Sequence, residues 1–411
     1  MSAAGAAARP DPFLELLAAE DPYPLIHALR ESDPVHFVAP LGFWFVTRHD
    51  DVKRLFNDAE NVTGDRRAWA AHVPRAEGTW LRWAEDHSLF ALAPKDHARI
   101  RRLVSVAFRP SAIQRMGDQI RAVVERFAAP LRGRRGEVID LLGEFTNPIP
   151  NVVISRITGV PPGDDEDRFR EIAQSVIAGF LPFSPPDVAA KAERDFSELA
   201  DSVRRLCAER RAHPAEDLVS DLLLAQENDE KLVEDDVIIL LSGIVAAGSE
   251  TTALGGMAAA ATLLRNPEAM EQLRADRSRI PKAIDEIIRF AFGGPAGLPR
   301  YALRDFTLRG RRIVKGQMLL LSFGGASRDP AVYRDPDVLD LDRDVRELTT
   351  FGSGPHFCLG AHLARQEMSC MIDALLDILP AGSQIREDRM EWRSGGLFKR
   401  PLNLPVEVAR G

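Results

Sequence analysis

One cysteine lies in a glycine-rich loop directly ahead of a helix, and this feature constrains the chain more than any other. The loop runs from Phe351 to Gly360, with Cys358 near its end. From Ala361 to about Leu379, apolar residues recur at helical spacing and predict a helix with one buried face. Backbone N–H groups and the helix dipole stabilise negative sulfur there, so we expect a lowered cysteine pKa and strong metal binding.

The spacing of the loop residues carries a specific meaning. Its glycines let the backbone turn tightly and approach a flat ligand closely. An isolated Cys-x-Gly is more often a helix cap followed by a buried structural cysteine. Here six positions fit in order, and the pattern resembles the haem-binding loop of the cytochrome P450 family, whose cysteine supplies the axial thiolate to haem iron. The six positions are Phe351, Gly352, Gly354, His356, Cys358 and Gly360.

A long apolar helix is predicted from Leu232 to Arg265, with a stop at Asn266-Pro267. At about 1.5 Å per residue it would span roughly 50 Å. Its middle reads Ala247-Gly248-Ser249-Glu250-Thr251-Thr252, which is similar to the family's oxygen-activation motif. The resemblance implies that Glu250 is the proton-side acid and Thr251 the hydrogen-bonding alcohol, with its hydroxyl returned to the carbonyl of Ala247. It also implies that Gly248 leaves room for O2. Taken alone, such a polar group in mid-helix is more often a solvated face.

Glu286 and Arg289 stand three residues apart on one predicted helical face, which is similar to the family's Glu-x-x-Arg. On most proteins this is a surface ion pair. The resemblance implies a buried pair that supports the haem loop. The segment Arg328-Asp329-Pro330 also resembles the family, although Ser327 replaces the usual Asn before it.

His97 and Arg101 are four apart and share a helical face. They resemble the family's His-x-x-x-Arg, whose side chains hold haem propionates. Arg300 and His356 match the other two propionate positions. Two buried carboxylates need several cationic donors, and we expect these four side chains to supply them. Singly, each is more often an ordinary surface residue.

The resemblance covers about residues 21–408. It implies a mainly α fold with a small β-rich lobe (α+β), forming a single domain over residues 11–411. Residues 1–10, rich in Ala and Gly, are expected to be disordered. Strand-like segments are predicted at the following positions: Val35 to Val38, Phe43 to Thr47, Thr307 to Leu308, Arg312 to Val314 and Met318 to Ser322.

Charge and cysteine usage narrow the class of protein. The net charge is -8 and the pI about 5.7, so nothing favours a nucleic-acid partner. A local basic run, Arg99 to Arg109, is either a solvated face or a dock for an acidic electron donor. The three cysteines show no pairing pattern, and Met1 to Pro24 lacks a membrane span or signal peptide. We therefore expect a soluble, cytoplasmic, bacterial-type member that is a monomer.

The resemblance implies a haem-thiolate monooxygenase that inserts one atom of O2 into a small molecule. Its cofactor would be haem b, with electrons from NAD(P)H through a separate ferredoxin or flavodoxin and its reductase. One alternative is an H2O2-driven peroxygenase, which the acid and alcohol of the long helix disfavour. Others are a non-catalytic haem or ligand-binding protein, and a structural protein without haem.

The substrate is expected to be bulky, neutral and mostly apolar, such as a terpenoid, steroid or polyketide, in hydroxylation or epoxidation. Small residues would leave space beside the haem, and apolar side chains would line it. The alternative is that the aromatic residues only pack the core. By family position, the expected pocket residues are Phe180, Leu181, Gly243, Ala246, Ala296, Gly297, Leu298, Leu397 and Phe398.

Overall fold

Helices make up most of the protein in this computed structural model, which describes residues 10–160, 166–180, 184–228, 233–292, 297–393 and 400–410. Many of the helices begin with Pro in the first turn, where the missing N–H costs nothing. The α-helices are α1 Pro12–Ala18, α2 Tyr23–Ser32, α3 His49–Asn57, α4 Trp80–His87, α5 Pro94–Val104, α6 Pro110–Arg115, α7 Gly117–Ala128, α8 Pro148–Thr158, α9 Glu166–Phe180, α10 Pro186–Ala212, α11 Leu218–Asn228, α12 Glu234–Arg265, α13 Pro267–Ala275, α14 Ile280–Ala291, α15 Phe323–Ser327 and α16 Ala361–Ile378.

The longest helix, α12, runs through the main core. Three acidic residues in its first turn interact favourably with the positive end of the helix dipole. The helix ends at Arg265, and its C-cap, Asn266, directly precedes Pro267, the first residue of α13. It contacts α8, α9, α10, α14 and α16. Among the described residues, α12 alone is long and apolar enough to cross a membrane, and 61% of its most apolar 18-residue stretch is buried inside the protein.

A small β-rich lobe accompanies the helices. The largest sheet has the order β1-β2-β8-β5-β3; β2 pairs parallel with β8, and the other neighbours are antiparallel. A second sheet has the order β4-β12-β9, and two hairpins pair β6 with β7 and β10 with β11. The strands are β1 Val35–Val38, β2 Phe43–Val46, β3 Val62–Thr63, β4 Val138–Asp140, β5 Gly297–Ala302, β6 Phe306–Leu308, β7 Arg311–Ile313, β8 Met318–Ser322, β9 Gln384–Ile385, β10 Trp392–Arg393, β11 Arg400–Pro401 and β12 Pro405–Glu407.

The core has one large helical part and two smaller parts around the sheet. β2 and β8 are buried at every position, as expected for strands covered on both faces. The predicted α+β class is confirmed, and the predicted strands agree with β1, β2, β6, β7 and β8 within one residue at each end. The single domain over residues 11–411 stays a prediction. The disorder expected for residues 1–10 falls, apart from Pro10, outside the described residues.

Candidate active site

The cysteine loop is shaped by its own backbone. Gly352 and Gly354 have φ values of 70° and 69°, a region that favours glycine. The N–H of Cys358 donates to the carbonyl of Phe351 at 2.8 Å, which closes the loop just before α16. A Cβ on Gly354 would collide with the side chain of Asn57 on α3. The loop therefore presents the cysteine from a fixed backbone position.

Cys358 is an exposed residue, although the protein atoms packed around it reduce the hydration of its thiol. Burial by the surrounding protein raises the pKa of its thiol, while a backbone N–H of Gly360 and the nearby Arg101 and Arg365 act in the opposite direction. The expectation of a lowered pKa is therefore wrong for the protein alone. The helix start and the two arginines do not outweigh the loss of water, so in the protein alone the thiol is favoured over the thiolate.

A cluster of side chains beside the loop joins α5 to it. The rings of His97 and His356 lie 4.3 Å apart between centroids, and Phe90 stacks on His356 at 5.8 Å. Arg101 donates to the carbonyl of Phe357. The Nε2 atom of His97 is buried without a hydrogen-bond partner, so the cluster has a polar group left to satisfy.

Arg300, on β5, is a buried guanidinium without a carboxylate partner in the described part of the chain. It is 4% exposed, bonds the carbonyl of Pro299 at 3.0 Å, and lies 4.9 Å from the ring of Phe56. Burial lowers its pKa to about 10. A buried cation needs a counter-charge. This position therefore suits an anionic group supplied by a ligand.

The two histidines differ from expectation in their charge. Burial lowers the pKa of His97, and burial together with His97, Arg300 and Arg101 lowers the pKa of His356 to about 4. Both are neutral near pH 7 in the protein alone and can each donate one N–H. Two arginines and two neutral histidines are a donor set that fits a dianionic flat ligand beside Cys358.

α12 has one open face in an otherwise buried helix. Gly243, Ala247 and Thr251 are exposed, at intervals of four residues, while most of their neighbours are buried. A Cβ on Gly243 would meet no atom within 4 Å. This face therefore borders space that no other part of the described protein fills. Ala246 was expected in the pocket, but it is only 1% exposed and points into the core, so it does not contribute to this face.

The polar residues of the α12 motif occupy different sides of the helix. The Thr251 hydroxyl donates to the carbonyl of Ala247 at 2.6 Å, as the sequence predicts. Glu250 is nearly buried, at 9% exposure. Gly248 faces α8, where a Cβ would lie 3.0 Å from Cδ1 of Ile154. Glycine at this position thus also permits close approach of α8 and α12.

Glu286 and Arg289 form a fully buried pair on α14, with distances of 2.6 and 2.8 Å and both side chains 0% exposed. Arg289 also donates to the carbonyl of Ser327 at 2.7 Å. Sequence reasoning missed a third member, Arg343, which donates to Glu286 at 3.1 Å. In the sequence, Arg343 is marked only by being a charged residue 15 positions before Cys358, and this is too little to predict its role. The three side chains connect α14 to the segments before the cysteine loop.

The remaining expected pocket residues are only partly placed. Phe180, at the end of α9, packs against Phe196 at 6.2 Å between centroids. Gly297 begins β5 so close to β8 that a Cβ would collide with the backbone of Leu321, and Leu298 packs on the sheet core. Four expected residues lie outside the described part of the chain: Leu181, Ala296, Leu397 and Phe398.

Comparisons with known proteins agree with this geometry. The family model for cytochrome P450 matches residues 35–379. The chain is 32% identical to the mycinamicin IV hydroxylase/epoxidase of Micromonospora griseorubida, over 92% of this chain and 93% of that one. It is 29% identical to the polyketide biosynthesis cytochrome P450 PksS of Bacillus subtilis, over 95% and 96%. The solved structure of epothilone D-bound cytochrome P450epoK has a TM-score of 0.86 at 29% identity, over 98% and 100%.

The match covers most of the chain and includes relatives above 30% identity, and the donor set around Cys358 suits haem. The relatives carry hydroxylase and epoxidase activities in their names. The chain therefore belongs to the cytochrome P450 family: it is a haem b-dependent monooxygenase, an oxidoreductase that uses O2 and receives electrons from NAD(P)H through redox partners.

Proposed function

We propose that this P450 oxidises a bulky, neutral, mostly apolar molecule, such as a polyketide, terpenoid or steroid skeleton, by hydroxylation or epoxidation. The observation that carries the proposal is the open face of α12, where Gly243 and Ala247 leave space and present no charge. The printed names of relatives, which include polyketide biosynthesis, mycinamicin and epothilone, support this substrate class. Burial of apolar area at about 25 cal/mol per Å² would supply most of the binding energy.

The residues that would hold the haem are Cys358 and the two arginines and two histidines described above. Cys358 would ligate the iron, and His97, Arg101, Arg300 and His356 would hold the two propionates. When bound, haem supplies the redox chemistry by which one oxygen atom of O2 enters the substrate and the other leaves as water. The closed backbone of the loop fixes the sulfur, and Glu286, Arg289 and Arg343 fix the segments that precede it.

Protons would reach the cavity through Glu250 and Thr251. The Thr251 hydroxyl lies on the open face and donates to the carbonyl of Ala247, a bond that it can exchange for one to a water. Glu250, nearly buried beside that face, would supply protons to it. The two side chains would thus act in sequence, the acid as a source and the alcohol as a positioned donor.

An acidic ferredoxin or flavodoxin would dock on the basic side of α5 and α6. Lys95, Arg102, Arg109 and Arg115 are exposed there and form no ion pair within the described residues. They lie on α5, the helix that carries His97, and at the two ends of α6, and the ring of His97 lies beside His356 of the cysteine loop. We propose that the protein works as a monomer in the cytoplasm.

Spectral titration followed by turnover tests the proposal. Purified haem-loaded protein is titrated with multi-ring neutral compounds and with small aromatic acids, and the change in haem spin state is recorded. Compounds that shift the spectrum are then supplied with ferredoxin, reductase and NADPH, or with H2O2 alone. We expect neutral multi-ring compounds to shift the spectrum and to yield product with the electron donors.

Three results would contradict parts of this proposal. A spectral shift with the acids alone would mean a small, charged pocket. Product formed faster from H2O2 than from ferredoxin would favour a peroxygenase. Tight binding without product under either condition would favour a ligand-binding protein.

A further inference from the structure

The cysteine loop is also contacted by α3, a helix that is distant from it in the sequence. The Nδ2 atom of Asn57, the last residue of α3, donates a hydrogen bond to Oγ of Ser353 at 2.9 Å, and Ser353 lies 296 positions further along the chain. The same side chain fills the space beside Gly354, where an added Cβ would collide with it. One side chain therefore contacts two successive residues of the loop.

The orientation of the Asn57 amide is fixed within α3. Its Nδ2 atom also donates to the carbonyl of Lys53, one turn earlier in the helix, at 2.8 Å. A side-chain amide has two N–H groups, and these two bonds use both of them. The N–H that points to Ser353 therefore has little freedom to turn away, although Asn57 is an exposed residue.

α3 is itself anchored to the protein along its length. Leu55 and Phe56 are buried in the core around the main sheet. At the start of the helix, the backbone N–H of His49 donates to Oδ2 of Asp329 at 2.9 Å, and its ring Nε2 donates to the carbonyl of Glu347 at 2.7 Å. A helix held at its start and along one face is a rigid base, so its last turn can fix the position of a loop.

A backbone hydrogen bond connects this contact to Cys358. The loop forms a 3-10 turn over Gly354–His356. The carbonyl of Gly354 accepts a hydrogen bond from the N–H of Phe357 at 3.0 Å, and Phe357 directly precedes Cys358. A displacement at the start of this turn would therefore reach the residue next to the cysteine.

We propose that Asn57 is a positioning residue, which holds Ser353 and Gly354 and thereby fixes the sulfur of Cys358 relative to haem iron. Its action is indirect, because its two hydrogen bonds go to Lys53 and Ser353. The inference rests on the ligation of iron by Cys358 proposed above. If the wild type itself lacked the thiolate-type absorption, that ligation would be wrong. A normal wild-type spectrum with unaffected variants would overturn only the role of Asn57.

The test measures how long the thiolate stays on the iron. Purified haem-loaded protein is reduced in the presence of CO at a fixed, low urea concentration, and the decay of the thiolate-type absorption is followed with time. Asn57→Ala removes the contact with the loop at an exposed position. We expect the decay to be about three- to tenfold faster, which is the range for the loss of one hydrogen bond.

Two further measurements distinguish positioning from a general loss of stability. Deuterium uptake of Asn57→Ala should rise in residues 351–360 and remain at the wild-type level in the helical core. The lines of the low-spin ferric electron paramagnetic resonance spectrum should broaden, because the sulfur occupies a wider range of positions. Faster uptake throughout the protein with unchanged lines would mean that Asn57 only stabilises the fold.

Ser353→Ala removes the other partner of the hydrogen bond. It should accelerate the decay as Asn57→Ala does, and the double variant should decay no faster than either single variant, because both changes remove one interaction. Should Asn57→Ala fail to fold, Ser353→Ala decides by the same measurements.

Asn61→Ala is the matched control. It shortens the same type of side chain just beyond α3, but the amide of Asn61 donates to the carboxylate of Asp58. This variant should decay at the wild-type rate. The proposal is wrong if Asn57→Ala also decays at the wild-type rate, if Asn61→Ala accelerates the decay equally, or if the effects of Asn57→Ala and Ser353→Ala add in full.

Discussion

The sulfur of Cys358 is held by backbone geometry, while the protein around it disfavours a free thiolate. Coordination of Cys358 to haem iron, as proposed above, would reverse that preference, because a metal-bound thiol loses its proton. The other two cysteines lack such a loop. Burial raises the pKa of Cys207 to about 11 and also raises the pKa of Cys370. Only Cys358 combines accessibility with a glycine loop.

Cys358→Ser should therefore lose the thiolate-type absorption of the reduced CO complex, because an alcohol is a poor ligand to ferrous iron. Cys207→Ser and Cys370→Ser serve as controls and should keep the band. The measurement is the difference spectrum of dithionite-reduced protein with and without CO. A wild-type band in Cys358→Ser would mean that another residue ligates the iron.

Thr251 differs from its neighbour Thr252 in the side of α12 that it occupies. Thr251 is exposed on the open face, whereas Thr252 is 7% exposed and lies in the core. Thr251→Ala should keep haem and substrate binding but release peroxide, with product per NADPH reduced about tenfold or more because a positioned proton donor is lost. Thr252→Ala should stay close to wild type, and Thr251→Ser should recover much of the product. Equal coupling in wild type and Thr251→Ala would remove Thr251 from proton delivery.

Glu367, on α16, is a buried carboxyl group with one oxygen unpaired. Burial raises its pKa from 4.5 to about 8. The pKa of Glu367 is higher in the folded protein than in the unfolded chain, so its contribution to the free energy of unfolding is fully present below about pH 4.5. That contribution is lost as the pH rises through 8. Between pH 5 and pH 8.5 the free energy of unfolding should fall by up to about 4 kcal/mol on this account.

Glu367→Gln should be less sensitive to that rise in pH than the wild type. Urea unfolding of the haem-loaded wild type and variant at pH 5, 7 and 8.5 gives the free energy of unfolding of each protein as a function of pH. The difference between these two curves separates the effect of Glu367 from that of other titrating groups. Parallel curves would show that the carboxyl is not protonated in the folded protein.

At the scale of elements, two glycines of α12 lie in different surroundings, one beside open space and one against another helix. A Cβ on Gly243 would enter open space, while a Cβ on Gly256 would lie 2.8 Å from Sδ of Met371 on α16. Gly243→Ala should raise stability by about 0.5–1 kcal/mol, the usual gain for glycine in a helix, and should weaken the binding of large ligands. Gly256→Val should lower stability by about 1–3 kcal/mol through overpacking. Urea unfolding and spectral titration measure the two effects. Equal destabilisation by the two substitutions would contradict the placement of Gly243 on an open face of α12.

Local sequence patterns could predict the elements but not all of their contacts. The cysteine loop, the end of α12 at Arg265 and the central strands follow from glycine spacing, apolar periodicity and proline. Arg343 was missed, because its partner Glu286 lies 57 residues away and the segments between them are irregular and carry no repeating pattern. The direction of the Cys358 pKa was missed because desolvation depends on atoms from several elements.

At the scale of the whole molecule, charge is unevenly distributed. The protein carries a net charge of -8, yet Arg102 on α5 and Arg109, which directly precedes α6, are exposed without an ion pair in the described residues. An acidic partner would be repelled by the molecule as a whole and attracted to this side. Such a local field orients a partner during approach and weakens as salt is added.

Arg102→Ala and Arg109→Ala should each raise the KM for reduced ferredoxin about two- to fivefold at low salt, the range for an exposed charge pair. The kcat at saturating ferredoxin should stay unchanged, because neither residue is among those proposed to hold haem. Arg334→Ala, which removes an arginine 94% exposed on a different segment, is the control and should leave the KM unchanged. Steady-state turnover is measured at 20 and 200 mM salt. If the two arginines attract ferredoxin by their charge, the increase in KM caused by each variant must become smaller at the higher salt concentration, where charges are screened. If the control raises the KM equally, or if the increase persists at high salt, the partner docks elsewhere or without the help of this charge.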